Sequence, residues 1–121
     1  MEINRSVSGI SHKSLEALVE AVNREKRIFC DGVGRSRLKA EGFAMRLIQM
    51  GFTALVVGEA TTPAITRDDM LLICSASGET PMLVEHAAKA KKVGAAIMLI
   101  TTSEASSLAV LSDSMITIDA S

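Results

Sequence analysis

The chain has 121 residues, with 13 Lys and Arg against 14 Asp and Glu, and a net charge of −1. That balance argues against a general nucleic-acid binder, which needs a basic face and usually aromatic stacking platforms. The length suits one domain, 1–121, able to bury roughly two-thirds of its unfolded surface. With 48% hydrophobic residues but no Trp or Tyr and three Phe, its core must come from Val, Ile, Leu, Ala and gap-filling Met.

Met1 to Ile10 carries no assignment. Ser11 to Arg24 places Leu15, Leu18, Val19 and Val22 at helical spacing. Ile28-Phe29-Cys30 is a short apolar run that ends in Gly32. A helix over Leu38 to Met50 sets Leu38, Phe43, Leu47 and Met50 broadly on one side, and Gly51 stops it. Thr53 to Val57 and Met70 to Cys74 read as buried strands, with Asp68-Asp69 forming the turn before the second. Pro81 to Val93 reads as a helix: Pro81 suits the first position, Thr80 can cap it, and Gly94 ends it. Ala96 to Ile100 is a fourth strand, Ala105 to Leu111 a short helix and Met115 to Ile118 a fifth strand.

Strands apolar on both faces and separated by helices imply an α/β, doubly wound parallel sheet covered on both sides. Right-handed crossovers bring the C-terminal ends of all strands to one edge, where ligands of open α/β sheets bind. Cys30 and Cys74 lie inside apolar runs without ligand-spaced partners, so they read as buried small hydrophobes and no metal is expected. No apolar stretch approaches the roughly 18 residues of a membrane span, and the N-terminus shows no signal-peptide core. A cytoplasmic protein without a membrane partner is the expectation.

Two turns at that edge carry the chemistry. Asp31-Gly32-Val33-Gly34-Arg35-Ser36 joins a sharp glycine turn to a hydroxyl at a helix start and to the positive charge of Arg35 and Arg37. Leu38 stands where a dinucleotide fingerprint needs its third glycine, and G-x-x-x-x-G-K-[ST] occurs nowhere. Ser75-Ala76-Ser77-Gly78-Glu79-Thr80 gathers three hydroxyls, a glycine and a carboxylate before a helix. Unpaired N–H groups and the helix dipole favour an anion there. The alternative is an ordinary helix cap, in which Ser77 or Thr80 satisfies those N–H groups. The pairing of the two turns on one edge favours a bound phosphate.

Gly32–Ser36, Phe43-Ala44-Met45-Arg46-Leu47, Val57-Gly58-Glu59, Thr62-Pro63-Ala64-Ile65 and Ser75–Thr80 occur in the order seen in SIS (sugar isomerase) domains. The chain resembles that family from about Ser11 to Ile118, and its 6-phospho-3-hexuloisomerase branch most closely. The resemblance implies a flavodoxin-like sheet of order 2-1-3-4-5 and a homo-oligomer, dimer or tetramer, with shared active sites. It implies a phosphorylated sugar as partner and an isomerisation without a cofactor: a 3-hexulose 6-phosphate becomes fructose 6-phosphate through an enediol.

Carried over by position, Ser36, Ser75, Ser77 and Thr80 resemble phosphate or sugar-hydroxyl ligands, and Gly34 and Gly78 allow close backbone approach. Glu79 resembles a residue near the reacting carbons; it becomes a base if partial burial raises its pKa. Arg35 is placed to stabilise the enediolate. Glu59 is a third catalytic candidate, facing the sugar or ordering its loop through Thr61 or Thr62. Arg37 replaces the family's usual glycine and either adds a phosphate contact or crowds the loop. His86 reads as a surface or partly packed helix residue, and His12 as a solvated cap residue. The chain ends almost at strand five, whereas family members continue with a segment bearing an acidic catalytic candidate. A phosphosugar-binding SIS domain without catalysis is therefore the alternative expectation, and an apolar face covered by self-association is a further one.

Overall fold

The structure, a computed structural model, describes residues 26–60 and 62–118. The helix expected over Ser11–Arg24, the unassigned Met1–Ile10 and His12 lie outside them. Five strands, β1 (Arg27–Asp31), β2 (Thr53–Val56), β3 (Met70–Cys74), β4 (Ala96–Thr101) and β5 (Ser114–Thr117), form one parallel sheet. Their order is β2-β1-β3-β4-β5. The central strands β1, β3 and β4 are buried on both faces, as their uninterrupted apolar runs require.

Alternation along those strands divides the core in two. Ile28, Cys30, Leu72, Cys74 and Met98 face α1 (Arg35–Gln49), which presents Ala40, Phe43, Ala44 and Leu47. Phe29, Leu71, Ile73, Ile97 and Leu99 face α2 (Pro81–Val93) and α3 (Ser107–Leu111) through Leu83, Ala87, Ala90 and Leu108. Each fully buried Leu or Ile in these layers contributes about 1.5–3 kcal/mol.

Several boundaries differ from expectation. The first helix begins at Arg35 instead of Leu38. Gly34, at φ 62°, turns the chain so that Ser36 N–H reaches the Val33 carbonyl and Arg37 N–H the Gly34 carbonyl. Arg35-Ser36-Arg37 adds no apolar residue to the pattern, so its helical state left no periodic signal. Strand β2 is half-buried instead of buried, because it is an edge strand paired to β1 alone. The short helix starts two residues late, at Ser107, since Ser106 Oγ accepts the Ala109 N–H at 3.1 Å and caps it. Pro81 occupies the start of α2 and Gly94, at φ 90°, ends it. Thr80 sits at the N-cap position of α2 but its hydroxyl makes no capping bond.

Candidate functional site

Both turns meet at the C-terminal edge of the sheet, one after β1 and one after the adjacent β3. The turn Ser75–Thr80 is braced from within. Ser75 Oγ accepts the Gly78 N–H at 3.0 Å, and Ser77 Oγ accepts the Glu79 N–H at 3.1 Å. A hydroxyl that accepts an N–H keeps its own O–H to donate; exposed Ser77 can offer it to an external oxygen, whereas Ser75 is buried. Thr80 Oγ1 lies 3.5 Å from Ser75 Oγ, so these two hydroxyls are neighbours.

The turn is also fastened to the segment after β4. The Ala76 carbonyl accepts from the Thr101 and Thr102 hydroxyls, at 3.0 and 2.8 Å. The Gly78 carbonyl accepts the Leu108 N–H at 3.0 Å. Gly78 has φ 73°, and a Cβ there would collide with Ser106 Oγ and Cβ. Glycine is thus required twice over, by conformation and by space.

Glu79 is placed differently from expectation. Its carboxylate is exposed, and Oε2 accepts the Ser107 N–H at 2.9 Å, at the start of α3. Hydrogen bonding by Ser107 holds the carboxyl below its ordinary pKa. The rise towards neutrality that a general base would need is therefore absent; hydrogen bonding to the charged form outweighs burial.

The first turn is held by glycine geometry and by one arginine. A Cβ on Gly32 would run into the Ser36 backbone. Arg37 reaches the end of β2: Nη1 donates to the Val57 carbonyl at 2.8 Å, Nη2 to Glu59 Oε2 at 3.1 Å and Nε to Glu41 Oε2 at 3.2 Å. Neither expectation for Arg37 describes this, since its guanidinium ties the first turn to the loop after β2. Glu59 is correspondingly engaged by Arg37, while the Thr62 N–H bonds its backbone carbonyl at 3.0 Å. Thr61 lies outside the described residues. Arg35 is exposed and makes no ion pair with any described residue, and Ser36 is half-buried beside it.

Sequence reasoning missed a histidine–carboxylate hydrogen bond and an ion pair. At the edge carrying the turns, His86 Nδ1–H donates to Asp31 Oδ2 at 2.7 Å, joining α2 to the last residue of β1. The signal available was a charged residue closing an apolar strand, because buried charges need partners. At the opposite edge, Arg27 donates to both oxygens of buried Asp69, at 2.9 and 2.8 Å. The Arg27 hydrogen bond leads in holding the Asp69 carboxyl below its ordinary value, and the Thr66 N–H adds a bond at 2.7 Å. Asp69 does form the turn before β3, through its N–H to the Thr66 carbonyl.

A cavity of about 310 Å³ lies between α2 and the loop after β2, with Phe29, Leu71, Glu59, His86 and Lys89 among its lining residues. No residue of Ser75–Thr80 lines it. Both cysteines are free and buried, and desolvation pushes the Cys74 thiol up to about 12, so neither is a ready nucleophile. Among the described residues no helix is long and apolar enough to cross a membrane.

A family model described as SIS domain matches residues 21–121. A protein of Bacillus subtilis named 3-hexulose-6-phosphate isomerase is 39% identical over 115 residues, which covers 95% of this chain and 62% of that one. A hypothetical protein of Methanococcus jannaschii, whose crystal structure infers a molecular function of 3-hexulose-6-phosphate isomerase, superposes with a TM-score of 0.78. It is 36% identical, over 88% of this chain and 61% of its own. The Vibrio vulnificus NanR protein complexed with ManNAc-6P superposes with a TM-score of 0.75 at 30% identity, over 91% and 44% of the two chains. The chain thus spans less than two-thirds of the length of these relatives.

Proposed function

The chain belongs to the SIS domain family, and on that premise we propose that it binds a phosphorylated sugar and isomerises it. The substrate in this proposal is a 3-hexulose 6-phosphate, converted to fructose 6-phosphate through an enediol without a cofactor. One observation carries the binding half: the Ser75 and Thr80 hydroxyls are adjacent, over a turn whose backbone is fixed by bonds to the Ser75 and Ser77 hydroxyls. Such a preorganised donor set beside a helix N-terminus suits a phosphate. Ser36, with close approach at Gly34 and Gly78, extends it across the edge, and Arg35 supplies charge to the phosphate or the enediolate.

The isomerase half is supported by the relatives named for that activity. Within it, Glu59 is a rim carboxylate and Glu79 acts chiefly by ordering the turn through Ser107. The domain 1–121 acts in the cytoplasm, with no nucleic-acid partner. It assembles as a homo-oligomer, a dimer or tetramer, through the exposed stripe Leu38, Met45 and Ile48 of α1. A second reading, binding without turnover, is favoured by the engaged, low-pKa carboxylate of Glu79.

A melting-temperature panel of sugar phosphates, run beside a coupled assay for fructose 6-phosphate, separates the two. A shift with turnover is the expected result. A shift without turnover selects the second reading, and no shift with any sugar phosphate contradicts both.

A further inference from the structure

We infer that His86, oriented by Asp31, is the group that moves the proton between adjacent sugar carbons, and that the cavity it lines receives those carbons; this rests on the isomerase reading above. Asp31 closes β1, immediately before Gly32, and is almost wholly buried. Its carboxylate has one hydrogen-bond partner among the described residues, the Nδ1–H of His86 at 2.7 Å. A carboxylate only accepts, so Nδ1 carries the hydrogen and Nε2 of the neutral ring is left with its lone pair. A proton taken up at Nε2 leaves the ring held in place by the same Nδ1–H bond to Asp31. The His86 side chain is 29% exposed, so a ligand can reach it.

The cavity fits a small substrate. Its volume of about 310 Å³ is that of a small-ligand site, and Phe29, Val57, Ile65 and Leu71 give it apolar walls. Lys89 follows His86 by three positions on the same face of α2 and makes no ion pair with a described residue. Its ammonium is the donor for an oxygen that becomes negative. Glu59 lines the cavity too, already paired with Arg37.

The cavity reaches the edge that carries the turns. Asp31 lies opposite Ile73, two residues before Ser75, and Gly58 and Glu59 follow the end of β2. In this assignment phosphate and reacting carbons occupy separate places at that edge, joined by the carbon chain of the sugar phosphate. Glu79, tied to Ser107, has no comparable freedom.

The step balances without a further reactant. Nε2 takes the proton from C2; the C–H electrons form the C2–C3 double bond, and the carbonyl pair moves onto O3 beside Lys89. Nε2–H returns the proton to C3 while the O2 hydroxyl proton passes to O3, leaving the carbonyl at C2.

Fructose 6-phosphate in heavy water tests this in the reverse direction, with nuclear magnetic resonance following deuterium entering C3. Wild type should exchange C3, and His86→Gln should exchange about 100-fold or more slowly while keeping its fructose 6-phosphate melting shift. Asp31→Asn should lower kcat about tenfold or more with KM unchanged, as expected of a positioning residue. Added imidazole should restore exchange to His86→Ala, which a histidine serving only packing would not show. Exchange by His86→Gln within about threefold of wild type overturns the assignment and leaves the isomerase reading standing. A wild-type melting shift without exchange at C3 overturns both.

Discussion

The two turns at the sheet edge are built on opposite plans. Ser75–Thr80 is held by its own hydroxyls, by the carbonyls of Ala76 and Gly78, and by the Glu79–Ser107 bond. Gly32–Ser36 is held by glycine conformation and by Arg37, while Arg35 stays unpaired with any described residue. A ligand at the first-named turn meets a fixed set of neutral donors; at the other it meets a close backbone and a charge free to adapt. Shape selectivity should therefore reside in Ser75–Thr80, and charge attraction in Arg35.

The sharpest way to break this contrast is Gly78→Ala. A side chain there combines a positive φ with a collision at Ser106, so stability should fall by about 2–4 kcal/mol and phosphosugar binding should be lost. Urea unfolding and a melting-shift titration measure the two effects. Gly34→Ala should cost less, about 1–2 kcal/mol, because its positive φ is strained but no atom lies within 4 Å of the added Cβ.

Arg35→Ala should weaken fructose 6-phosphate binding about tenfold while leaving the melting temperature of the free protein unchanged. Its affinity should also lose part of its salt dependence, read by titration at two ionic strengths. Arg37→Ala should do the reverse, lowering the melting temperature modestly and affecting binding less, since its guanidinium is engaged internally.

Acid should distinguish the turns as well. The Glu79 carboxyl titrates below its ordinary value, so its bond to Ser107 is intact above the usual carboxylate range, about 4.3, and is lost as pH falls through the lowered value. The Ser107 amide shift should follow that titration, and Glu79→Gln should abolish it. Asp69, at the opposite edge, obeys the same sign: its pairing with Arg27 stabilises above about 4 and fades below. Asp69→Asn should flatten the acid dependence of stability without altering phosphosugar affinity.

Much of the architecture was legible in the sequence. Apolar runs such as Met70–Cys74, and helices bracketed by Pro81 and Gly94, give local signals that need no partner to be read. What escaped depends on distant pairing. Asp31 and His86 are 55 residues apart, and nothing in either neighbourhood points to the other. Glu79 looked available because its partner, the Ser107 N–H, is a backbone group 28 residues away with no sequence signature. Arg37 could be seen as a departure, but its role needed the Val57 carbonyl beside it. Residue types at the turns were thus readable, whereas the protonation and engagement of each side chain were not.

The central claim is that the Ser75–Thr80 hydroxyls hold a sugar phosphate. Its most direct measurement is a fructose 6-phosphate titration of wild type and Ser77→Ala, read by melting temperature. Wild type should saturate, gaining about 2.7 kcal/mol at a hundred times Kd. Ser77→Ala should bind about tenfold more weakly or worse, with the stability of the free protein lowered by no more than about 1 kcal/mol. An undiminished shift in Ser77→Ala would contradict the account.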